Sequence, residues 1–388
     1  MRGVEAAAAL AVVVLLGMTQ LSTELSLRHP LRPLIQNIND EGSYLGLIME
    51  SSTHEKPLLN SGLYVPSTTF ANLTLCGRTF HIGQLNGVDI IYVKTEGGSI
   101  STASTAQLLA DLFNIQGFVH YGTVGSVNDT LSIGDVVVPT KVAYVGNTQW
   151  KVFILIPILS NGKSCCRVTK RSRVRILGAA SCQINWQEKA CPRYTLVVGP
   201  LPGPSLSGDA IQCKRTLKVG DYNLPEAGEN SLGAITFLPT KLFNASGIAK
   251  NTFWLPINSA WSDVAEHLHD VELQQCLSSK KCLPKEPEIV YGLRAASSDI
   301  YLQNAALREF INTQFKVSVV DESTAMVVWV ALTNDLPVVV FKGVSNTAGG
   351  STAYSSYNYL GSVNAFNAAA SFIEAIGKPS IRLMNKSY

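Results

Sequence analysis

His120-Tyr-Gly-Thr-Val-Gly-Ser-Val-Asn-Asp-Thr-Leu-Ser-Ile-Gly-Asp-Val-Val-Val-Pro139 is the stretch on which the fold turns. Its apolar run from Gly117 to Tyr121 predicts a strand that enters the loop Gly122-Thr123-Val124-Gly125-Ser126, and Asp135 to Pro139 predicts a second strand. Glycines at 122 and 125 carry no Cβ, so backbone N–H groups there can approach a ligand and cradle an anion or a hydroxyl. Taken alone, the same spacing also fits a plain strand-to-helix turn. The surrounding sequence has to decide.

Outward from this block, short apolar runs alternate with longer amphipathic segments, the pattern of an α/β fold. Strands are predicted at Tyr44 to Met49, Val88 to Val93, Glu288 to Tyr291 and Leu336 to Phe341. Helices are predicted at Thr105 to Phe113, Asn304 to Thr313, Ser323 to Leu332 and Gly361 to Ile376. A chain of 388 residues, 46% of them hydrophobic, can bury the core of one large α/β domain or two ordinary ones. We expect a single domain over residues 40–380.

The first residues have the layout of a signal peptide over 1–25: Arg2, an uninterrupted apolar run from Ala6 to Leu16, then polar sequence, with cleavage between Met18 and Arg28. The run is too short for a stable membrane anchor, so no membrane association is expected after cleavage. Entry into the secretory pathway, with an extracellular or vacuolar destination, makes other features consistent. Asn72, Asn128, Asn244 and Asn385 each head a glycosylation triplet. Cys276 and Cys282, with five residues between them, suit a local disulfide in an oxidising compartment; two unpaired thiols are the other reading.

Residues 152–212 break the pattern. They hold eight Lys or Arg against two acids, four of the eight cysteines and five of the seventeen prolines, and without them the formal charge of +3 becomes −3. A functional basic insertion, a disordered loop and translated intron sequence are the three readings. The lack of any periodicity, together with Val and Gln codons that can sit at intron borders, favours the last. A structureless loop of this length inside a compact domain is itself improbable.

Other chemistries find no support. The net charge is too small to imply a nucleic-acid partner. No Cys/His cluster has zinc spacing, so no metal is expected. No dinucleotide fingerprint follows a strand, and no phosphate-loop lysine follows a glycine loop. Ser126 and Ser345 lack a recognisable hydrolase elbow. His54 and His120 show no evident carboxylate partner.

The block around Gly122 resembles a motif of the nucleoside phosphorylase and nucleosidase superfamily, Asn-Thr-Gly-Ser-Ala-Gly-Gly followed by Leu-x-x-Gly-Asp-Val-Val. Gly97-Gly98-Ser99-Ile100-Ser101, Gly292 to Tyr301, Val320 to Ala325 and Phe341 to Asn346 resemble further pocket segments in the same order, and the matches extend from about Tyr44 to Ile376. Phe253-Trp-Leu-Pro256, Gln274-Gln-Cys-Leu277 and Val290-Tyr-Gly-Leu-Arg294 are similar to the plant vegetative and bark storage proteins of this superfamily.

The resemblance implies a three-layer α/β/α domain with a central mixed sheet, a homodimer, and a purine nucleoside as small-molecule ligand, with no cofactor and phosphate as a possible co-substrate. It places Gly98, Thr123, Val124, Gly125, Tyr301, Glu322 and Ser323 against the ligand, Tyr301 by stacking on the base. Cleaving an N-glycosidic bond needs a proton donor at the base, a carboxylate on the ribose and a group that delivers the nucleophile. At the positions of those three groups this chain has Asn346, Ser323 and Ser52. An amide cannot act as a general acid, and a serine cannot give a carboxylate's charge-assisted hydrogen bonds. Glu322 could stand in if the turn slips by one residue. Glu50 is either a solvated strand-end residue or part of the site. The sequence therefore points to a nucleoside-binding protein with weak or lost cleavage, or to a storage protein with no catalytic role.

Overall fold

A computed structural model of the protein describes residues 29–151, 167–168, 174–175, 234–244, 247–268 and 271–377. The signal peptide, Asn385 and nearly all of the 152–212 segment lie outside these residues. The chain divides into two units, Met1–Asn147 with Phe237–Tyr388, and Thr148–Thr236.

The main unit begins with α1 (Arg32–Glu41), β1 (Tyr44–Met49), α2 (Ser52–Asn60), β2 (Tyr64–Pro66), β3 (Asn72–Leu75), β4 (Arg78–Leu85), β5 (Val88–Lys94), α3 (Ser99–Leu112), β6 (Ile115–Ser126) and β7 (Val136–Tyr144). The second unit contributes β8 (Thr148–Lys151), which pairs with β11 (Ala234–Phe237), and β9 (Arg167–Val168), which pairs with β10 (Val174–Arg175). The main unit resumes with β12 (Thr240–Phe243), β13 (Ala249–Thr252), β14 (Trp254–Pro256), α4 (Ser259–Glu266), β15 (Cys276–Ser278), β16 (Lys281–Cys282) and β17 (Ile289–Ser297). It ends with α5 (Ala305–Phe315), β18 (Val319–Asp321), α6 (Thr324–Thr333), β19 (Val338–Thr347) and α7 (Asn358–Gly377).

Eleven strands form one sheet, ordered β14-β7-β17-β18-β6-β1-β5-β4-β2, with β19 paired to β6 and β7 and β3 paired to β4. Neighbours β5, β1, β6 and β19 run parallel, whereas β18 meets β6 and β19 meets β7 antiparallel. The sheet is therefore mixed. All six residues of β1 are buried, as expected for a strand covered on both faces. On one face Tyr44 and Ile48 join a core with Ile38 of α1, Leu109 of α3 and Val327 of α6. On the other, Leu45, Leu47 and Met49 join one with Leu58 of α2, Trp261 of α4 and Phe372 of α7. This alternation makes the three α/β/α layers.

Two details differ from the sequence reading. Gly122 to Ser126 is not a loop after the strand but the last part of β6, paired with Lys342 to Thr347 of β19 through a register shift at Ser345. Glycine there does not make a turn; it lets the neighbouring strand's side chains come close. A Cβ on Gly125 would sit 2.7 Å from the Ala348 Cβ and 3.3 Å from Asn346 Nδ2. Helix α3 begins at Ser99, six residues before the predicted start, behind Gly98 at φ +74°. Cys276 and Cys282 are joined by a disulfide across the β15–β16 hairpin.

Candidate functional site

The parallel strands β1, β6 and β19 bring Glu50, Gly122–Ser126 and Lys342–Asn346 to the same end of the sheet, and the β18–α6 turn adds Asp321, Glu322 and Ser323. The centre is Lys342, fully buried. Its Nζ lies 2.8 Å from Asp321 Oδ2, 3.4 Å from Glu50 Oε1 and 3.3 Å from Ser323 Oγ. A buried ammonium is costly to desolvate unless it is paired, and these three partners supply the compensation.

Asp321 is fixed in turn. Ser297 Oγ donates to its Oδ1 at 2.5 Å, the Ser323 and Thr324 amides point at it from 3.3 and 3.2 Å, and the Thr324 hydroxyl donates to Oδ2. Burial alone would raise this carboxyl's pKa; the Lys342 charge and the hydroxyl donors outweigh burial and lower it to about 2. Burial likewise pulls Lys342 down, but Asp321 and Glu50 more than restore it.

Two histidines flank the ring. His120 has no exposed surface; its Nδ1 faces the Ile48 carbonyl at 3.0 Å and its Nε2 faces Ser323 Oγ at 3.2 Å. A carbonyl only accepts, so Nδ1 carries the proton and Nε2 is an acceptor. Burial, then the Lys342 charge, lowers its pKa to about 3 against an opposing pull from Asp321. His54 bridges Ser51 Oγ at 3.2 Å and Thr123 Oγ1 at 3.0 Å, and burial lowers its pKa too, opposed by Glu50. Both rings are neutral near pH 7, and the carboxylates beside them are Glu50 and Asp321.

The residues expected from sequence take up several different places. Thr123, Ser323 and Glu50 belong to the ring; the Ser323 hydroxyl donates to Glu50. Val124 is buried, and the one hydroxyl proton of Ser345 has two acceptors in reach, the Val124 carbonyl at 3.2 Å and Asn346 Oδ1 at 2.9 Å; Asn346 pairs with Gly125 on the same wall. Gly98 caps α3, where the Ser99 amide donates to Asp299 Oδ1 at 2.8 Å and Ser99 Oγ meets the Glu322 carbonyl at 3.5 Å. Burial, then Glu50, Asp299 and Asp321, raises the Glu322 carboxyl's pKa. Ser52 instead accepts from Lys94 at 3.3 Å, next to the Lys94–Glu55 ion pair, and has no bond to the ring. Tyr301 is 70% exposed, so most of its ring is open to solvent. Asn72 and Asn244 are exposed, and Asn128 is half-buried with its Oδ1 accepting from Thr130.

Lys342 and Asp321 are the members that the sequence does not single out, although a lysine directly after the apolar run Val338-Val-Val-Phe341 and within the same strand is itself a signal of a buried partner. Glu50, His120 and Asp321 also present one ligand atom each within 4.8 Å of one another. The ring does not suit a dication, because the Lys342 ammonium already sits against both carboxylates and a metal there would face it across a buried space.

Residues 44–171 match the phosphorylase superfamily. Bark storage proteins B and A of Populus deltoides are 35% and 34% identical to the chain over 367 residues, covering 94% of it and 99% of each relative. A 5'-methylthioadenosine/S-adenosylhomocysteine nucleosidase of Colwellia psychrerythraea is 37% identical over 68 residues, 18% of this chain and 28% of that one. The solved structure of the nucleosidase from that organism, in complex with adenine, superposes with a TM-score of 0.51 at 15% identity, covering 86% of this chain and 95% of that chain, a likeness of fold. The chain belongs to the phosphorylase superfamily, among members of the bark storage protein type.

Proposed function

We propose that the protein binds a purine nucleoside-like ligand at the Lys342 ring, with cleavage of the N-glycosidic bond weak or lost. The carrying observation is that Lys342 holds both carboxylates of the ring, Asp321 and the partly exposed Glu50, while neutral groups stand elsewhere. Departure of a purine needs a proton. Asp321 is held ionised, His54 and His120 are held neutral, and Asn346 has no acidic proton. Glu322, pushed towards its protonated form, is the group that keeps weak cleavage within the reading. Equilibrium titration of the purified mature protein with adenosine, inosine and methylthioadenosine tests it: saturable binding supports the reading, and no binding of any of the three refutes it.

A storage role without catalysis is the second reading, favoured by the similarity to bark storage proteins along 94% of the chain. On it, the protein enters the secretory pathway by its signal peptide, carries glycans at Asn72, Asn128, Asn244 or Asn385, and is deposited outside the cell or in a vacuole as a homodimer. Among the described residues no helix is long and apolar enough to cross a membrane. Abundance that rises and falls with nitrogen supply supports storage; constant low abundance counts against it. Residues 152–212 are read as translated intron sequence, which transcript sequencing tests directly.

A further inference from the structure

The ring has a hydrogen-bond inventory, and it comes out short of donors. An ammonium has three protons, and Lys342 has three acceptors around it: Asp321 Oδ2, Glu50 Oε1 and Ser323 Oγ. Ser323 has one proton, and Glu50, Asp321 Oδ2 and His120 Nε2 all lie within its reach. His120 gives its own proton to Ile48. Nothing at the centre of the ring is left to donate.

One member retains spare acceptor capacity. Both contacts to the Glu50 carboxylate fall on Oε1, and the side chain is 18% exposed, whereas that of Asp321 is 4% exposed and surrounded by donors. Glu50 also faces the backbone of Gly122. A β-carbon built on Gly122 would lie 3.9 Å from Glu50 Oε1, 3.8 Å from His54 Nε2 and 3.2 Å from Lys342 Nζ. Three polar side chains thus converge where residue 122 has no side chain. The short Ser323 side chain leaves room for a carboxylate, and Glu50 fills it from β1.

Building on the nucleoside-binding reading above, we propose that Glu50 is the specificity-determining residue of the site: its carboxylate accepts hydrogen bonds from the ribose hydroxyls of the ligand, and the donor-saturated Lys342 leaves the ring unable to hold a phosphate. The carboxylate missing from position 323 is thereby supplied from position 50. A ligand has to bring donors, which a nucleoside does and inorganic phosphate at neutral pH does poorly. Its charge would also meet two carboxylates balanced by one ammonium.

The test is calorimetric titration of the intact protein with adenosine, 2'-deoxyadenosine, 3'-deoxyadenosine and inorganic phosphate, for wild type and Glu50→Gln. A charge-assisted hydrogen bond lost on removal of one hydroxyl weakens binding by about tenfold or more. Wild type is expected to bind adenosine at least that much more tightly than either deoxynucleoside, and millimolar phosphate is expected neither to bind nor to compete. Glu50→Gln is expected to lose both affinity and discrimination. Equal wild-type affinity for all three nucleosides overturns the proposal without any variant; so does unchanged discrimination in folded Glu50→Gln, or phosphate competing with adenosine. Wild type that binds adenosine but fails these comparisons refutes the Glu50 assignment alone. Wild type that binds no nucleoside refutes the function reading and the assignment with it.

Discussion

Replacing Lys342 by methionine keeps the length of the side chain and removes its charge, leaving Asp321 buried at 4% side-chain exposure with no cation beside it. Removing one partner of a buried ion pair costs about 3–5 kcal/mol, because the remaining charge has lost its compensation. At roughly 2–3 °C per kcal/mol for a domain of this size, the melting temperature at pH 7 falls by about 6–15 °C. The pH dependence identifies the cause. In the wild type Asp321 is depressed to about 2, so its contribution is present above the unfolded carboxyl value and lost as pH falls through the folded one. That contribution is worth about 2–3 kcal/mol. In the variant the sign reverses: burial without the lysine raises Asp321, and protonation on acidification relieves the strain. The gap between the two melting curves should therefore narrow from pH 7 to pH 4, read by circular dichroism on both proteins. A variant within about 2 °C of wild type at pH 7, or a gap that widens on acidification, refutes the reasoning.

Other positions give further expectations. Gly343→Ala places a Cβ 1.8 Å from the Gly361 carbonyl oxygen, where β19 and α7 touch through backbone, so the variant should lose folded yield in a soluble-expression assay; wild-type yield and melting temperature count against that contact. His120, lowered to about 3, takes up its proton in the unfolded state first, so its linkage contribution is present above the unfolded histidine value and lost as pH falls towards the folded one. His120→Gln should flatten that part of the stability profile in denaturant titrations at a series of pH values, and an unchanged slope excludes His120 as its source. Tyr301→Ala should leave stability within about 0.5 kcal/mol, since the side chain is largely exposed, while weakening nucleoside binding severalfold by calorimetry. Equal affinity would mean that the ring does not stack on the ligand.

Much of the fold was legible from periodicity. Tyr44 to Met49 has the same bounds in both readings, and the long helix and strand segments lie within or beside their observed spans, because doubly covered strands read as continuous apolar runs. Gly122 to Ser126 was misplaced for a physical reason. Glycine in a strand interior looks like a turn unless the neighbour that needs the space is known, and that neighbour is β19, far along the chain. The site was legible as a list of segments but not as a ring. Ser52 and Ser323 were weighed as losses at their own positions, whereas the side chain that meets Ser323 comes from Glu50, on another strand. Nor does local sequence reveal that Lys342 and Asp321 form a buried ion pair: that depends on the parallel pairing of β6 with β19 and the antiparallel return of β18.

The most direct measurement is base release from saturating adenosine, inosine and methylthioadenosine by the purified mature protein, with and without phosphate. Bound nucleoside is expected, with base appearing at or close to the uncatalysed rate, unaffected by phosphate. Turnover in the ordinary enzymatic range of about 1–1000 per second, abolished by Asn346→Ala, would contradict it.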